Sequence, residues 1–482
     1  MEAFAVPKNV RVRIAPSPTG FFHVGTARTA LFNYLFAKRY GGMFMVRIED
    51  TDVQRSEKRF EEDILSGLRW LGVVWDEGPG KEGNAGPYRQ SERGAIYKEH
   101  LRMLFEKGKA YYCFCTREEL ESHKNYMLGS GLAPKYSGKC ARLTDAEVAQ
   151  KQKEGIPSVI RFRADARRLS FTDLIKGKIE VDTGLIGDFT IAKNIEEPLY
   201  NFAAAVDDVH MRITHVIRGE DHISNTPKQI LIAEALGFAS LAYGHLPLIL
   251  GPDKAKMSKR HGATSILEYR ERGYLPEALV NFIAFLGWNP GGEREMFSLG
   301  ELEKEFDIRK AHTSNAVFNI QKLDWFNAHY IRQKSTEELA DLCAPYFPGA
   351  DAGRLKKVVA LEKERLKKLS DIGELAGFFF SLPEYPPDLL VWSKSTKEKM
   401  KESLPAVSEA LKSVSESEFT AVAVKNALVT LASRFTNGEM YWPLRVALSG
   451  KEFSPGPTEI AEVLGKDEML LRVQRAIAKL EA

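Results

Sequence analysis

The chain has 482 residues, of which 44% are hydrophobic and 28% are charged, and its formal net charge is +3. This length exceeds what one hydrophobic core supports, so several domains are expected. The small net charge excludes binding to nucleic acid through bulk charge, and such a partner would need local basic patches. Four cysteines in so long a chain exclude a disulfide scaffold and favour a reducing compartment.

The sequence contains no segment typical of export or of a membrane span. Its first residues, MEAFAVPKNVRV, lack an apolar core of signal-peptide length. The most apolar stretch, ILIAEALGFASLAYGHLPLIL, is interrupted by Glu234, Gly237, His245 and Pro247. We therefore expect a cytoplasmic protein without a membrane partner.

The first fifty residues predict a strand–helix–strand unit. Residues 9–15 alternate like a short strand, apolar residues recur at helical spacing over 26–40, and MFMVRIED (43–50) predicts a buried strand. The turn before the helix, RIAPSPTGFFHVG, places His23 and Gly25 at the helix start. This position favours a phosphate, because unpaired N–H groups and the helix dipole carry positive charge there. A turn histidine without a ligand explains this stretch alone equally well.

The middle of the chain contains a segment of different character. After a helix predicted around residues 60–71, residues 93–196 combine many charges, a cysteine cluster and strand-like pieces such as SVIRFRA. That composition is typical of an insertion. ITHVIRGED (213–221) then predicts a strand, and residues 226–236 predict a helix.

Beyond about residue 330 the sequence predicts helices nearly throughout. Residues 354–368, RLKKVVALEKERLKK, predict a helix with a basic face, for which a solvated surface is the simple interpretation. SLPEYPPD (381–388) predicts a linker.

A basic loop, GPDKAKMSKRHGATSI (251–266), decides how the helix start is interpreted. Lys256, Ser258 and Lys259 in this loop would suit a polyanion, although such a run is usually a solvated loop. H-x-G after a proline-containing turn at a helix start, combined with K-M-S-K in a distant loop, is the double signature of class I aminoacyl-tRNA synthetases. Here the H-I-G-H motif reads HVGT (23–26), and the K-M-S-K-S motif reads KMSKR.

The likeness extends beyond these two motifs, because the sequence resembles the bacterial glutamyl-tRNA synthetases over most of its length. The stretches that carry the resemblance are RIAPSPTG, HVGTAR, VRIEDTD, DEGP, PYRQSER, VDD, HVIRGEDH, KMSKRHGA, LPEALVNFIAFLGW and WPLRVALSG. The resemblance implies a glutamate–tRNA ligase. Such an enzyme activates L-glutamate with ATP to glutamyl-adenylate and transfers glutamate to the 3′ end of tRNA-Glu for protein synthesis.

The resemblance implies an α/β fold: a Rossmann-type nucleotide-binding catalytic domain that is split by an α+β insertion and followed by all-α anticodon-binding domains. The expected boundaries are 1–92 and 197–246 for the two halves of the catalytic domain, 93–196 for an insertion that binds the acceptor stem, 247–330 for a connecting domain with the KMSKR loop, and 331–380 and 381–482 for two helical anticodon-binding domains.

Glutamate activation requires positioning and charge neutralisation more than covalent help from the protein. The resemblance implies that His23 and Gly25 hold ATP and that Lys259 stabilises the triphosphate. The implied catalytic residues are His23, Gly25, Lys256, Ser258 and Lys259. Mg²⁺ is expected to accompany ATP. Thr26 stands where the signature has its second histidine, which excludes a two-histidine phosphate clamp.

Selection of glutamate requires a cation for the side-chain carboxylate, and the planar fork of arginine binds a carboxylate bidentately. The resemblance assigns this role to Arg218, with Arg13 and Ser17 in the same pocket. It assigns the substrate ammonium to Glu49 and closure of the pocket to Tyr200. Such a pocket disfavours glutamine, whose amide leaves the arginine fork unsatisfied. Without the surrounding motifs, the simple interpretation of each arginine is a salt bridge at the surface.

Three cysteines resemble the zinc knuckle in the insertion of part of this family. Cys113, Cys115 and Cys140 supply three thiolates, whereas a structural zinc site needs four ligands. Arg142 stands at the family's usual histidine position, and Tyr136 is the replacement candidate, as in a related tRNA-modifying paralogue. A structural zinc and three free thiols are both left open.

The helical C-terminal region is implied to read the anticodon. Arg365 aligns with an arginine that, in discriminating enzymes, checks the last anticodon base, which predicts charging of tRNA-Glu and not of tRNA-Gln. The expected partners are tRNA-Glu, L-glutamate and ATP, and the expected state is a monomer. Three alternatives are an inactive RNA-binding paralogue, the shorter paralogue that glutamylates a tRNA base, and glutaminyl-tRNA synthetase, whose C-terminal half consists of β-barrels.

Overall fold

The structure is a computed structural model that describes residues 9–52, 54–255, 257 and 265–482. Its internal contacts divide the chain into two units. The first comprises Met1–Arg270 and Pro276–Lys322, and the second comprises Glu271–Leu275 and Leu323–Ala482. Within the described part of the chain, no helix is both long and apolar enough to cross a membrane.

The first unit mixes strands and helices. Its strands are β1 (Arg11–Ile14), β2 (Met43–Val46), β3 (Ala110–Cys113), β4 (Val159–Phe162), β5 (Arg168–Asp173), β6 (Gly177–Asp182), β7 (Phe189–Ala192), β8 (His215–Gly219), β9 (Ala242–Leu246), β10 (Ile249–Leu250) and β11 (Ala316–Val317). Its helices are α1 (Val24–Arg39), α2 (Lys58–Trp70), α3 (Gly94–Glu106), α4 (Arg117–Gly129), α5 (Asp145–Lys153), α6 (Thr183–Ile186), α7 (Tyr200–His210), α8 (Thr226–Leu236), α9 (Ile266–Glu271), α10 (Pro276–Ala284) and α11 (Leu299–Glu305).

The predicted strand–helix–strand unit is present. β1 and β2 pair in parallel on either side of α1 in the chain. α1 begins two residues earlier than predicted, because the His23 side chain caps its first turn. β2 is shorter than MFMVRIED, since the ladder with β1 ends at Val46.

Parallel strands form the sheet that supports the candidate site. β8 pairs in parallel with β9, and the N–H of Thr214 donates to the carbonyl of Arg11 at 2.9 Å, so β1 lies beside β8. The carboxyl ends of β1, β2 and β8 therefore meet at one edge, where Rossmann-type sheets bind their ligands. The antiparallel hairpin of β5 and β6 joins the same sheet, because Asp173 pairs with Tyr243 of β9.

The remaining part of the segment predicted as an insertion forms its own sheet. β3, β4 and β7 are antiparallel neighbours in that order. They pack with α3, α7 and α8 around a core that includes Leu101, Leu104, Ile160, Phe162 and Ile191, all at most 2% exposed. The cysteine cluster joins the end of β3, with Cys113 and Cys115, to the 3₁₀ turn Lys139–Arg142 after α4, with Cys140.

The second unit is helical. Its helices are the greater part of α12 (Ile320–Gln333), followed by α13 (Thr336–Cys343), α14 (Ala352–Glu362), α15 (Asp371–Ala376), α16 (Lys397–Lys412), α17 (Ala421–Val429), α18 (Asn437–Ser449), α19 (Pro457–Leu464) and α20 (Lys466–Glu481). No strand follows Val317, and residues 318–482 are all described. The predicted α/β fold followed by an all-α region is confirmed.

Two details of this unit differ from the sequence-based expectation or refine it. The helix predicted over 354–368 ends at Glu362, and Lys363–Arg365 form a separate 3₁₀ turn, so the basic residues do not share one helix face. The segment 381–388, predicted as a linker, contains a tyrosine, Tyr385, that is only 5% exposed.

Candidate active site

A cavity of about 990 Å³ opens in the first unit, at the carboxyl ends of β1, β2 and β8. The residues predicted to hold ATP or glutamate all line it: Arg13, Ser17, His23, Gly25, Glu49, Tyr200 and Arg218. Met257 of the KMSKR loop lines it as well. The predicted catalytic residues Lys256, Ser258 and Lys259 lie outside the described residues.

The start of α1 is organised by the exposed imidazole of His23. Its Nδ1 accepts the N–H groups of Gly25 at 3.2 Å and of Thr26 at 3.4 Å. Because Nδ1 accepts, a neutral ring carries its proton on Nε2, which lies 3.1 Å from Oγ1 of Thr26. A Cβ on Gly25 would lie 3.1 Å from both Cε1 and Nδ1 of His23. Glycine at position 25 therefore leaves room for the capping ring.

Arg13 is held by an acidic residue that the sequence did not single out. Asp208 of α7 accepts from Nε of Arg13 at 2.8 Å and from Nη2 at 3.1 Å. It also accepts from Nη1 of Arg47 at 2.6 Å, and Arg47 donates in turn to Glu49 at 3.1 Å. Asp208 thus holds Arg13 directly, and it holds Glu49 indirectly through Arg47.

Burial and charge act against each other in this cluster. Burial disfavours ionisation of Asp208, but the charges of Arg13 and Arg47 outweigh it and hold its pKa at about 2. At Glu49 burial prevails and raises the pKa, although Arg47 opposes the change. Asp208 is therefore a permanent anion, which the two buried guanidinium groups need as a partner.

Arg218 of β8 is held by three side chains. Its Nε donates to Nε2 of His245 at 3.3 Å, its Nη2 to Oγ1 of Thr226 at 2.6 Å, and its Nη1 to Oη of Tyr200 at 3.4 Å. Among the described residues these bonds use three of the five N–H groups of a guanidinium. One N–H on each terminal nitrogen is left, and that pair has the spacing of a bidentate carboxylate contact.

The electrostatics of the cavity suit a small amino acid that carries two carboxylates. Arg13 and Arg218 are 4% and 5% exposed, so their charges lie in a poorly hydrated wall. Glu49 supplies a negative group to the same cavity. His222 adds no charge near neutral pH, because burial and the charge of Arg218 lower its pKa to about 4. Arg28, Arg59 and Asp221 line the cavity as well, and among its charged residues Arg13 and Arg218 can match two carboxylates while Glu49 can match one ammonium.

The cysteine cluster has the geometry of a metal site. Cys113, Cys115 and Cys140 present sulfur atoms within 4.8 Å of one another. Oη of Tyr136 lies 3.3 Å from the sulfur of Cys113 and 3.4 Å from that of Cys115, and Cys115 and Cys140 are 3.6 Å apart. Tetrahedral zinc with these ligands separates two sulfurs by ~3.8 Å and a sulfur from an oxygen by ~3.5 Å. The donor set therefore fits zinc, with Tyr136 at the fourth position.

Neither the residue at the family's usual histidine position nor the fourth cysteine supplies a ligand to this cluster. Arg142 is exposed and, as a cation, offers no ligand atom. Cys343 is buried in the second unit, where burial raises the pKa of its thiol to about 12. Burial also raises the pKa of Cys115 to about 12, so a thiolate there needs a neighbouring cation.

Arg365, the predicted anticodon residue, lies in the second unit beside a shallow cavity of about 380 Å³. Its Nη1 donates to Oε2 of Glu362 at 2.7 Å, and the side chain of Glu362 is fully buried. Phe453 lines the same cavity and is 81% exposed. A held arginine beside an exposed aromatic ring is an arrangement that single-stranded bases use for stacking and hydrogen bonding.

Five residues that support the pocket were missed by the sequence analysis: Arg47, Asp173, Asp208, Thr226 and His245. One signal was available for Asp208, because two adjacent acids in the apolar helix FAAAVDDV require buried cationic partners. No comparable signal marks Asp173 and His245, which are 72 positions apart and meet only through the pairing of β5 with β9.

Comparisons with known proteins show the family to which the chain belongs. The family model described as tRNA synthetases class I (E and Q), catalytic domain, matches residues 9–325, and that of an anticodon binding domain matches residues 338–477. Glutamate–tRNA ligase of Natranaerobius thermophilus is 43% identical, over 98% of this chain and 99% of its own. Glutamate–tRNA ligase 1 of Thermoanaerobacter sp. strain X514 is 46% identical, over 97% and 99%. A crystal structure of a glutamate tRNA ligase from Elizabethkingia meningosepticum, in complex with its amino acid, superposes with a TM-score of 0.89 at 36% identity, covering 98% of this chain and all of that one. The chain therefore belongs to the glutamate–tRNA ligases, within the class I tRNA synthetases for E and Q.

Proposed function

We propose that this protein activates L-glutamate with ATP and transfers the glutamyl group to the 3′ end of tRNA-Glu. The observation that carries the proposal is one cavity that joins a capped helix start to two buried arginines and a glutamate. Family membership supports the ligase activity, and the pocket supports the choice of amino acid.

The roles proposed for the residues follow from their positions. The α-carboxylate of glutamate attacks the α-phosphate of ATP, and pyrophosphate leaves. The Nε2–H of His23 and the N-terminal end of α1 bind nucleotide phosphate, and Gly25 keeps the backbone close to the ligand. Lys256, Ser258 and Lys259 supply the opposing contacts to the triphosphate, and Mg²⁺ accompanies ATP.

The amino-acid end of the cavity accounts for the choice of substrate. Arg218 receives the side-chain carboxylate on its two remaining N–H groups, Arg13 and Ser17 contribute beside it, and Glu49 receives the ammonium. Glutamine is disfavoured, because its amide nitrogen would place a donor against a donor. Tyr200 closes the pocket above Arg218.

We also propose that Cys113, Cys115, Cys140 and Tyr136 hold a structural zinc ion. Its role would be to tie the end of β3 to the segment after α4. The sulfurs and the phenol oxygen from these two segments lie at the separations of a tetrahedral site. The proposed chemistry does not pass through this site.

The tRNA side of the proposal concerns Arg365. We propose that it contacts the last anticodon base, that tRNA-Glu is preferred over tRNA-Gln, and that the enzyme acts as a cytoplasmic monomer. Sedimentation of the purified protein at micromolar concentration tests the monomer, since a dimer would sediment at twice the mass.

The experiment that tests the function is aminoacylation with radiolabelled glutamate, ATP and purified tRNA-Glu or tRNA-Gln in parallel. We expect charging of tRNA-Glu that is lost in Lys259→Ala. In Arg218→Lys, which keeps the charge but loses the fork, KM for glutamate should rise at least tenfold. Binding of tRNA-Glu without any charging by the unmodified protein would support the RNA-binding alternative instead.

A further inference from the structure

A buried pair of side chains lies behind Arg218 and outside the cavity lining. Oδ2 of Asp173 is 2.6 Å from Nδ1 of His245, and both side chains are fully buried. Asp173 belongs to β5 and His245 to β9, the two strands that join the hairpin to the central sheet. The pair takes no part in the chemistry described above.

The hydrogen bonds around this pair determine where its protons reside. Oδ1 of Asp173 accepts the N–H groups of Ile175 at 2.9 Å and of Lys176 at 2.8 Å, which favours an ionised carboxylate. A carboxylate only accepts, so Nδ1 of His245 must carry a proton. Burial lowers the pKa of His245, so the ring is neutral and Nε2 bears a lone pair.

That lone pair faces donors from the amino-acid pocket. Nε2 of His245 lies 3.3 Å from Nε of Arg218 and 3.0 Å from Oγ1 of Thr226. The hydroxyl proton of Thr226 has a second acceptor in the carbonyl of His222 at 3.3 Å, but Nε of Arg218 can only donate. A proton on Nε2 would therefore set donor against donor at Arg218 and break the bond between His245 and the guanidinium. The direction in which the imidazole donates therefore decides whether Arg218 can hold its observed position.

We propose that Asp173 and His245 are positioning residues for substrate selection: Asp173 fixes the tautomer of His245, and His245 fixes Arg218 so that its two remaining N–H groups meet the substrate's side-chain carboxylate. The inference rests on the proposed function, because it concerns the same pocket. It adds a specificity determinant that never touches the substrate.

The isosteric variant Asp173→Asn tests the relay. The asparagine keeps an oxygen for the N–H groups of Ile175 and Lys176 but presents its NH₂ group to Nδ1, which forces the proton of His245 to Nε2. We expect KM for glutamate to rise between about tenfold and a hundredfold, as for loss of a hydrogen bond to a charged group. KM for ATP should change less than twofold, and the preference for glutamate over glutamine should fall.

His245→Gln separates the relay from a purely structural role. Its Oε1 can accept from Arg218 whatever stands at position 173. In the double variant Asp173→Asn/His245→Gln, KM for glutamate should therefore return to within about threefold of the His245→Gln value. The matched control is Asp188→Asn, because Asp188 accepts from Tyr111 and from the N–H of Ala164, outside the cavity lining. It should leave both KM values unchanged.

The outcomes are distinct. If the unmodified protein does not charge tRNA-Glu, the proposed function fails. If it does, and Asp173→Asn leaves KM for glutamate unchanged or raises both KM values together, the relay is overturned. Additive effects in the double variant overturn it as well. If Asp173→Asn does not fold, His245→Gln and His245→Met replace it. The glutamine variant should keep the KM for glutamate of the unmodified protein. In the methionine variant, which lacks a strong acceptor, KM for glutamate should rise at least tenfold. Equal values would contradict the relay.

Discussion

Asp208 accepts two hydrogen bonds from the guanidinium of Arg13, from Nε at 2.8 Å and from Nη2 at 3.1 Å. A third bond reaches it from the fully buried Arg47. One carboxylate therefore bridges two buried guanidinium groups beside the amino-acid pocket, and Arg47 also pairs with Glu49 and Asp207. Removal of Asp208 would leave both guanidinium groups buried with too few partners.

Asp208→Ala should lower the free energy of unfolding by about 3–5 kcal/mol, the cost of stranding a buried charge. Urea titration followed by circular dichroism measures this change. The control is Asp165→Ala, which removes an exposed partner of Lys109 and should cost less than about 1 kcal/mol. Similar losses in the two variants would show that the Asp208 cluster contributes no more than a surface ion pair.

The same aspartate predicts a contribution to acid sensitivity. Its pKa is about 2 in the folded protein against 3.8 in the unfolded reference, so the folded state binds this proton less readily. The resulting stabilisation, about 2 kcal/mol, is fully present above pH ~4 and is lost as the pH falls towards 2. Unfolding free energies measured from pH 5 to pH 2 should fall less steeply in Asp208→Asn than in the unmodified protein. Parallel slopes would contradict the assigned pKa.

Gly25→Ala should weaken ATP binding. The new methyl group would lie 3.1 Å from the His23 ring and displace it by a few tenths of an ångström, which would weaken its hydrogen bonds to the first turn of α1, already 3.2 and 3.4 Å long. We expect KM for ATP to rise about tenfold or more with a smaller change in KM for glutamate. Gly94→Ala, at the first residue of α3 with no atom within 4 Å of its new methyl group, should leave both values unchanged.

Metal analysis of the purified protein should find one zinc per chain. Cys140→Ser should abolish it, and Tyr136→Phe should weaken its retention against a chelator by about tenfold or more, because the oxygen ligand is lost. Cys343→Ser, which alters a buried thiol in the other unit, should retain the metal. Zinc-free protein with three alkylatable thiols in 113–140 would favour the free-thiol alternative.

Arg365→Gln should relax selection between the two tRNAs. The unmodified protein should charge tRNA-Glu and spare tRNA-Gln, and we expect the ratio of kcat/KM for the two to fall about tenfold in the variant. Lys357→Gln removes an exposed charge from the same basic stretch and should weaken the binding of both tRNAs to the same extent. Charging of tRNA-Gln by the unmodified protein would refute the role of Arg365.

Much of the fold and the lining of the site was predictable, because local patterns carry that information. The strand–turn–helix around His23 and the two motifs led to the cavity, because they place glycine, histidine and arginine residues that line it at fixed positions of a local pattern. Local sequence patterns did not identify the residues that support the cavity lining. Asp173 and His245 meet only through strand pairing, and nothing in their sequence neighbourhoods indicates that they are partners. At Asp208, two adjacent acids in an apolar helix indicate buried cationic partners but do not identify them. The basic helix over 354–368 was overextended for a related reason: side-chain charge does not reveal where the buried Glu362 ends the helix.

The hairpin of β5 and β6 lies in the segment that reads as an insertion, yet it carries the carboxylate on which the support of Arg218 depends. The segment is therefore not an exchangeable module. A chimera that received this hairpin from a relative with another residue at position 173 would inherit a changed amino-acid pocket, even with every cavity-lining side chain intact. Under the proposed relay, substrate choice therefore depends on a residue of the insertion.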